Sequence, residues 1–337
     1  MKKSLITLAI LSTAVSAAHA ASNVTLYGRF DIGYLKKSDT SLQQVSGGDV
    51  RLGLKGSEDL GNGMSATFQL EGRFDGDTGA KSSNRTFFDR ESTVGIKGAF
   101  GHVRFGRSIS AFEQGISYID IGRRSSAHSV YNENYGVATR HSNAMFYNYS
   151  AGAFSGGFDV TTKGGYNDGV STSEGNSGTK AGWGAFAKYK ANGLEAGVAY
   201  QDDGVQTAKK IRKEWGIGVA YTFKPVTVGL SYAAGKDDVV GTQAKLKNYG
   251  GYIQAALTAD DSLMAMYRRE ELKNKNTTTG IELSKEKITH YGLGYVHNLS
   301  KRTSVYTDIA RIKKDTTGTT SSSSSYTSYD IGIRHYF

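Results

Sequence analysis

"MSATFQLEGRF", residues 64–74, sets Met64, Ala66, Phe68, Leu70 and Phe74 on one side of an extended chain and Ser65, Thr67, Gln69, Glu71 and Arg73 on the other. A period of two marks a β-strand, because successive side chains of a strand point to opposite faces. An amphipathic helix needs apolar residues three and four apart, and this stretch denies that spacing. Its polar side carries a carboxylate and a guanidinium, which are costly to bury in a dry core. The charged side therefore needs water, and the apolar side needs a second, apolar medium.

The pattern recurs on both sides of this segment. "NVTLYGRFDIGY" (23–34) sets Val24, Leu26, Gly28, Phe30, Ile32 and Tyr34 against Thr25, Tyr27, Arg29 and Asp31. "DVRLGLKGS" (49–57) sets Val50, Leu52 and Leu54 against Arg51, Gly53 and Lys55, and the closing "TSYDIGIRHYF" (327–337) sets Tyr329, Ile331, Ile333, His335 and Phe337 against Asp330, Gly332, Arg334 and Tyr336. Sixteen such segments are legible, an even number. Their connectors alternate between tight turns, such as "EDLGNG", "GAFG", "ANGL" and "KP", and long stretches at 35–48, 75–89, 108–141, 164–181, 202–212, 234–246, 269–286 and 312–325. That alternation predicts an up-and-down antiparallel meander with short turns on one rim and long loops on the other.

Composition narrows the setting. The chain has no cysteine, which excludes a disulfide framework, thiolate chemistry and cysteine metal sites. No stretch beyond residue 20 reaches the roughly 18 consecutive apolar residues of a membrane-spanning helix. The 43 glycines, 21 tyrosines and 14 phenylalanines beside a single proline instead fit long, unbroken aromatic strands. Near the start, Lys2 and Lys3 precede an apolar run from Leu5 to about Val15 and the small-residue end Ala18-His19-Ala20. Residues 1–20 therefore read as a secretory signal, leaving 21–337 as one exported domain.

A soluble β-sandwich would have to hide the charged faces of its strands. A closed barrel with its apolar face on lipid and its charged face on water has no such conflict. The aromatics agree. Tyr34, Phe74, Trp183, Tyr200, Trp215, Tyr232, Tyr249, Tyr267 and Tyr329 fall at the long-loop ends of apolar faces, and Tyr149, Tyr189, Phe223, Tyr295 and Phe337 at the short-turn ends. Two aromatic belts separated by Ala, Val, Leu and Gly are what two membrane interfaces require. The expected fold class is all-β: a 16-stranded antiparallel transmembrane β-barrel.

Four stretches taken together, "SNVTLYGRFDIGY", "RLGLKGSEDLGNGMSATFQLEGRF", "STVGIKGAFGHVRFGRS" and "YDIGIRHYF", resemble the Gram-negative general porins of the beta-proteobacterial type. The likeness runs at intervals from the first strand to the last residue and leaves out the long loops. It implies an outer-membrane barrel of a Gram-negative bacterium, usually a homotrimer, with its third long loop folded into the lumen. The implied function is a water-filled channel for passive diffusion of small hydrophilic solutes and ions, with no cofactor. Phe337 resembles the signal read by the barrel assembly machinery.

Sixteen strands enclose more space than their own side chains fill, so something has to narrow the channel. The longest connector, about 108–141, lies where the resembled family places its constriction loop. Its "ISAFEQGISYIDIG" mixes the apolar anchors Phe112, Ile116, Tyr118 and Ile119 with Glu113 and Asp120. Polar strand faces supply Arg29, Arg51, Lys55, Arg73, Arg104 and Arg107, and guanidinium groups stay charged at any ordinary pH. A basic wall opposite Glu113 and Asp120 would set up a transverse field and a mild preference for anions. Phe146 is inward by parity where the resembled family often has a basic residue, a departure that opposes this preference.

Two other functions fit the same fold. A substrate-specific channel would use aromatics such as Tyr27, Tyr118 and Tyr135 as a binding track, and a structural or adhesive barrel would carry little current. Catalysis is not expected. His102, His128, His141, His290, His297 and His335 lack the spacing of a metal site, and "RRSSAHS" (123–129) reads as a polar loop rather than a Ser-His nucleophile. The net charge of +10 is spread over strands and loops rather than gathered into a patch, which argues against nucleic acid. Arg123, Arg124, Lys209, Lys210, Arg212 and Lys213, in long connectors, offer contacts for lipopolysaccharide phosphates, although a run such as "KKIRK" reads more often as a solvated loop.

Overall fold

The computed structural model describes residues 23–47, 50–81, 86–116, 136–163, 180–204, 212–239, 241–318 and 321–337. The expected signal, residues 1–20, lies outside them. The described residues form one antiparallel sheet. Its strands are β1 (Asn23–Lys37), β2 (Gln43–Ser46), β3 (Arg51–Gly61), β4 (Met64–Arg73), β5 (Glu91–Gly98), β6 (Gly101–Ile109), β7 (Arg140–Ala151), β8 (Phe154–Lys163) and β9 (Ala181–Ala191). They continue with β10 (Leu194–Asp202), β11 (Lys213–Phe223), β12 (Val226–Val239), β13 (Thr242–Ala256), β14 (Asp261–Asn276), β15 (Glu282–Asn298), β16 (Thr303–Gly318) and β17 (Ser322–Tyr336). Neighbours in sequence pair in space, and β17 returns to pair with β1, so the sheet closes into a barrel.

Sixteen strands make the wall, and β2 is the addition. β1 pairs with β3 over Asn23–Arg29 and with β2 over Ile32–Leu35. β2 and β3 thus act as one partner interrupted near Gly47, whose amide donates to the Asp31 carbonyl at 2.9 Å. A Cβ at Gly47 would overlap the Asp31 carboxylate, so a side chain is excluded where the interruption presses on β1.

The sheet is turned as the charge argument requires. Leu230 is 60% exposed and Leu293 58%, whereas Asp31 is 0% and Glu270 3% exposed. Apolar side chains cover the outside and charged ones crowd the inside. Outer aromatics pair across strands at both ends of the apolar zone, with ring centroids 5.0 Å apart for Trp183 and Tyr200, 5.5 Å for Trp215 and Tyr232, and 5.0 Å for Phe154 and Tyr189. The seam is held from both ends. The Gly28 amide donates to the Phe337 carbonyl at 3.1 Å, and inside the barrel Arg334 Nε and the Tyr306 hydroxyl each donate to Asp31 at 2.7 Å.

Three of the long connectors expected from sequence are largely strand. β12 to β17 continue through most of 234–246, 269–286 and 312–325, leaving tight turns. Past the aromatic belt both faces of the sheet meet water, so Lys, Thr, Ser and Asn replace the apolar residues and the alternation disappears while the hydrogen-bond ladder persists.

The loop between β6 and β7 folds inward through a short helix, α1 (Ala111–Ile116). Its neck is closed, because the Ser110 amide donates to the Thr139 carbonyl at 3.0 Å and the Ser110 hydroxyl to the Ala138 carbonyl at 2.9 Å. Phe112 and Ile116 pack with Val137, Ala199 and Ala233 into an apolar cluster bordered by Phe186. This contact needs bare backbone on both sides: a Cβ at Gly115 would lie 2.8 Å from those of Ala199 and Phe186, and one at Gly216 would lie 3.1 Å from the Phe112 ring.

Three carboxylates of the adjoining wall, on β8, just past β10 and on β11, hold the loop by its backbone. Asp159 accepts from the Ala111 amide, Asp203 from Ala138 at 3.1 Å, and Glu214 from Gly136 at 2.7 Å and Val137 at 3.3 Å. His141, fully buried, sits between Asp159 and Asp203 and fixes both. A buried hydrogen bond contributes about 0.5–1.5 kcal/mol net, and these acceptors together determine where the loop rests.

Two outcomes follow from this architecture. Leu230→Arg places a cation against hydrocarbon near the middle of its span and should cost about 2–4 kcal/mol in a denaturant titration of the protein folded into phospholipid vesicles; an inward Leu230 would leave the titration unmoved. Glu214→Ala strips the acceptor from Gly136 and Val137, and single-channel records should show higher conductance with added open-state noise. Unchanged conductance and noise would mean that Glu214 does not hold the loop.

Candidate functional site at the constriction

The expected basic residues fall into two groups. Arg29, Arg51 and Arg73 stand directly opposite one another across β1, β3 and β4. Like charges in register repel, and carboxylates on the same wall offset this. Arg51 Nε lies 3.5 Å from Glu71, which also binds Arg90. Arg73 donates to Asp89 from its backbone at 3.1 Å and from Nε at 2.8 Å, while the Asp89 carbonyl accepts from Arg107 Nε at 2.7 Å. Arg107 also reaches the Ser142 hydroxyl at 2.7 Å, and Arg140 donates to the Arg90 carbonyl at 3.0 Å. Arg51, Arg73 and Arg107 therefore belong to a dense network on the long-loop side, together with Arg90 and Arg140, which the sequence reading did not single out.

Arg104 stands apart from this network, lower on β6. Its guanidinium donates to Ser108 Oγ and Asn148 Oδ1, both at 2.9 Å, and its carbon lies 5.5 Å from the centre of the Phe146 ring. Phe146 does face inward and is fully buried. It serves as a platform under Arg104, and a ring face attracts a guanidinium. Lys55 is exposed, with its ammonium 5.0 Å from the Tyr27 ring.

The acidic residues expected on the loop have different surroundings. Glu113 is 1% exposed within α1, and Asp120 lies outside the described residues. The helix side chain that reaches the open space is Gln114, which donates to the Ile109 carbonyl at 3.1 Å and accepts from Asn148 Nδ2 at 2.8 Å. Arg104, Asn148 and Gln114 thus form one hydrogen-bonded chain from wall to loop.

Beside that chain lies a cavity of about 350 Å³ lined by Arg104, Lys188, Glu91, Gln69, Gln114, Asn148, Ser155, Ile109 and Phe186. Two cations face one carboxylate there, with amide and hydroxyl groups between them. Lys188 was not singled out from sequence, although its place between Ala187 and the outer-belt Tyr189 in an alternating strand puts it inward. What parity cannot give is its height, and height decides whether a lumen charge lies at the narrow point. His141, one of the six histidines that lack metal-site spacing, is buried with Asp159 and Asp203 as a loop anchor. Of the cationic contacts expected for lipid phosphates, Arg123, Arg124, Lys209 and Lys210 lie outside the described residues. Arg212 lies 3.7 Å from Asp202 and 3.9 Å from Asp237.

Comparison with known proteins agrees with this architecture. The family model for Gram-negative porins matches residues 7–317. Outer membrane porin protein 32 of Delftia acidovorans is 32% identical with both chains covered in full, and an outer membrane porin protein of Bordetella pertussis is 26% identical, again over both full lengths. The solved structure of an anion-selective porin from Comamonas acidovorans superimposes with a TM-score of 0.73 at 26% identity, covering 94% of this chain and 100% of that one. A closed wall with its greasy side outward, a charged lumen and a loop helix pinned inside it, matched to a family model over most of its length, make this chain a member of the Gram-negative porin family, a channel of the outer membrane.

Proposed function

We propose that the barrel passes small hydrophilic solutes and ions by diffusion, that the inward loop limits their size, and that the channel prefers anions. The observation carrying this reading is the placement of Arg104 and Lys188 on one cavity beside α1, where Glu91 is the one lining carboxylate among the described residues. A monovalent ion crossing there meets an excess of positive charge inside low-dielectric walls, which strengthens the field. The network of Arg51, Arg73 and Arg107 above it, with Arg29 in register beside Arg51, keeps the approach basic, with Lys55 further along the wall. Asp120 is the proposed acidic residue of the loop, whereas Glu113 is packed away within α1. The relative from Comamonas described as anion-selective supports the sign.

The same reading makes the protein a homotrimer that catalyses no reaction, with outer-membrane lipid and lipopolysaccharide around it. Phe337, paired with Gly28 where the barrel closes, is the proposed contact for the barrel assembly machinery. A mildly selective filter of exposed charges weakens as salt rises, because the screening length falls to a few ångströms near 1 M.

Replacing Arg104 and Lys188 together by Gln should lower the chloride-to-potassium permeability ratio about two- to fivefold, in line with the ~1 kcal/mol that one charge exerts at contact distance in water. The readout is reversal potential in a planar bilayer with a salt gradient. An unchanged ratio would remove the filter from this cavity.

A further inference from the structure

The cavity beside α1 holds charge of both signs in a fixed order. Gly95 stands opposite Arg104, and Glu91 lies four residues back along β5, toward the long-loop rim. Lys188 lies on the other side of Arg104 in register. It is reached by stepping from Phe146 to Asn148 on β7, across Gly157 to Phe186, and on along β9 toward the short-turn rim. All three charged residues line the one space of about 350 Å³, and Ile109 and Phe186 form its apolar side. The wall therefore presents carboxylate, guanidinium and ammonium in that sequence.

Two of these groups have bonding capacity left over. Arg104 uses its terminal nitrogens on Ser108 Oγ and Asn148 Oδ1, both at 2.9 Å. Its Nε is buried and has no acceptor among the described residues. Glu91 is 8% exposed and accepts from the Ser108 hydroxyl, while its buried Oε2 has no donor among the described residues. Buried polar atoms normally have a partner, and leaving one without costs free energy. One cavity thus offers an unused cationic donor and an unused anionic acceptor, with Ser108 seated between the side chains that carry them.

A simple anion in this space is attracted by Arg104 and Lys188 and repelled by Glu91. A solute that carries its own ammonium turns that repulsion into attraction, and low-dielectric walls strengthen both contacts. A carboxylate and an ammonium on one small molecule describe an α-amino acid, and Ile109 with Phe186 suits an aliphatic side chain. We infer that the cavity is a weak binding site for zwitterionic α-amino acids with apolar side chains, the carboxylate resting on Arg104 Nε and Lys188 and the ammonium on Glu91 Oε2. The inference rests on the diffusion reading of this cavity and names the solute class that the cavity retains.

The test is titration of the purified full-length protein in planar bilayers with leucine, with N-acetylleucine, which keeps only the carboxylate, and with leucinamide, which keeps only the ammonium. Leucine should reduce the ion current saturably, at a half-saturating concentration about fivefold or more below that of either analogue. Glu91→Gln should raise the value for leucine to that for N-acetylleucine and leave the latter equal or lower, a pattern that a damaged pore would not give. Equal values for leucine and N-acetylleucine in the unmodified protein, a leucine effect that does not saturate, or an unchanged leucine value in Glu91→Gln would each overturn the assignment. Reversal potential in the same bilayers separates the two readings. Anion preference without discrimination in favour of leucine overturns this inference alone, whereas absence of anion preference overturns the charge reading of the channel.

Discussion

The structure depends on one constraint: a peptide group or a charge cannot be left facing hydrocarbon without a partner. Closing the sheet, with the Gly28 amide on the Phe337 carbonyl, satisfies the backbone. Turning Asp31, Glu71, Glu214 and Glu270 inward satisfies the charges. Once that orientation is set, the lumen becomes crowded with ionic groups, and the repulsion within Arg29, Arg51 and Arg73 has to be offset locally. Glu71 and Asp89 provide that offset, and this is why much of the basic wall is a structural network as well as a lining.

The same crowding positions the loop. Carboxylates that would be costly alone become acceptors for backbone amides of the incoming chain, and wall glycines let α1 approach within contact distance. Asp159, Asp203 and Glu214 therefore link fold to function, because the loop they hold determines which side chains border the narrow space. The uncharged Gln114 meets that space through Asn148 and Arg104, while Glu113 is packed away within α1.

The orientation of the wall was legible from sequence because lipid on one side and water on the other write a two-residue period into every membrane-crossing strand. MSATFQLEGRF and the closing stretch each show it, and both lie in the sheet with the predicted faces. Legibility ended where that boundary ended. The upper halves of β12 to β16 have water on both sides, so residues such as Lys273, Asn274 and Lys275 carry no alternation and read as loop. β2 was hidden for a different reason, being four residues long and defined by its pairing to β1. At the constriction, parity named Arg104 as inward and made Lys188 readable, but only three-dimensional register places them on one cavity. The grip of Glu214 on Gly136 joins residues 78 apart in sequence, and no local pattern announces it.

The absence of cysteine makes the central claim directly measurable, since a single introduced thiol is the only one in the chain. Ser155→Cys on the cavity and Leu230→Cys on the lipid-facing surface, each examined in a planar bilayer during exposure to a charged, membrane-impermeant methanethiosulfonate, separate lumen from lipid. The account predicts a stepwise fall in current for Ser155→Cys and no change for Leu230→Cys. Modification of Leu230→Cys with an inert Ser155→Cys would contradict it.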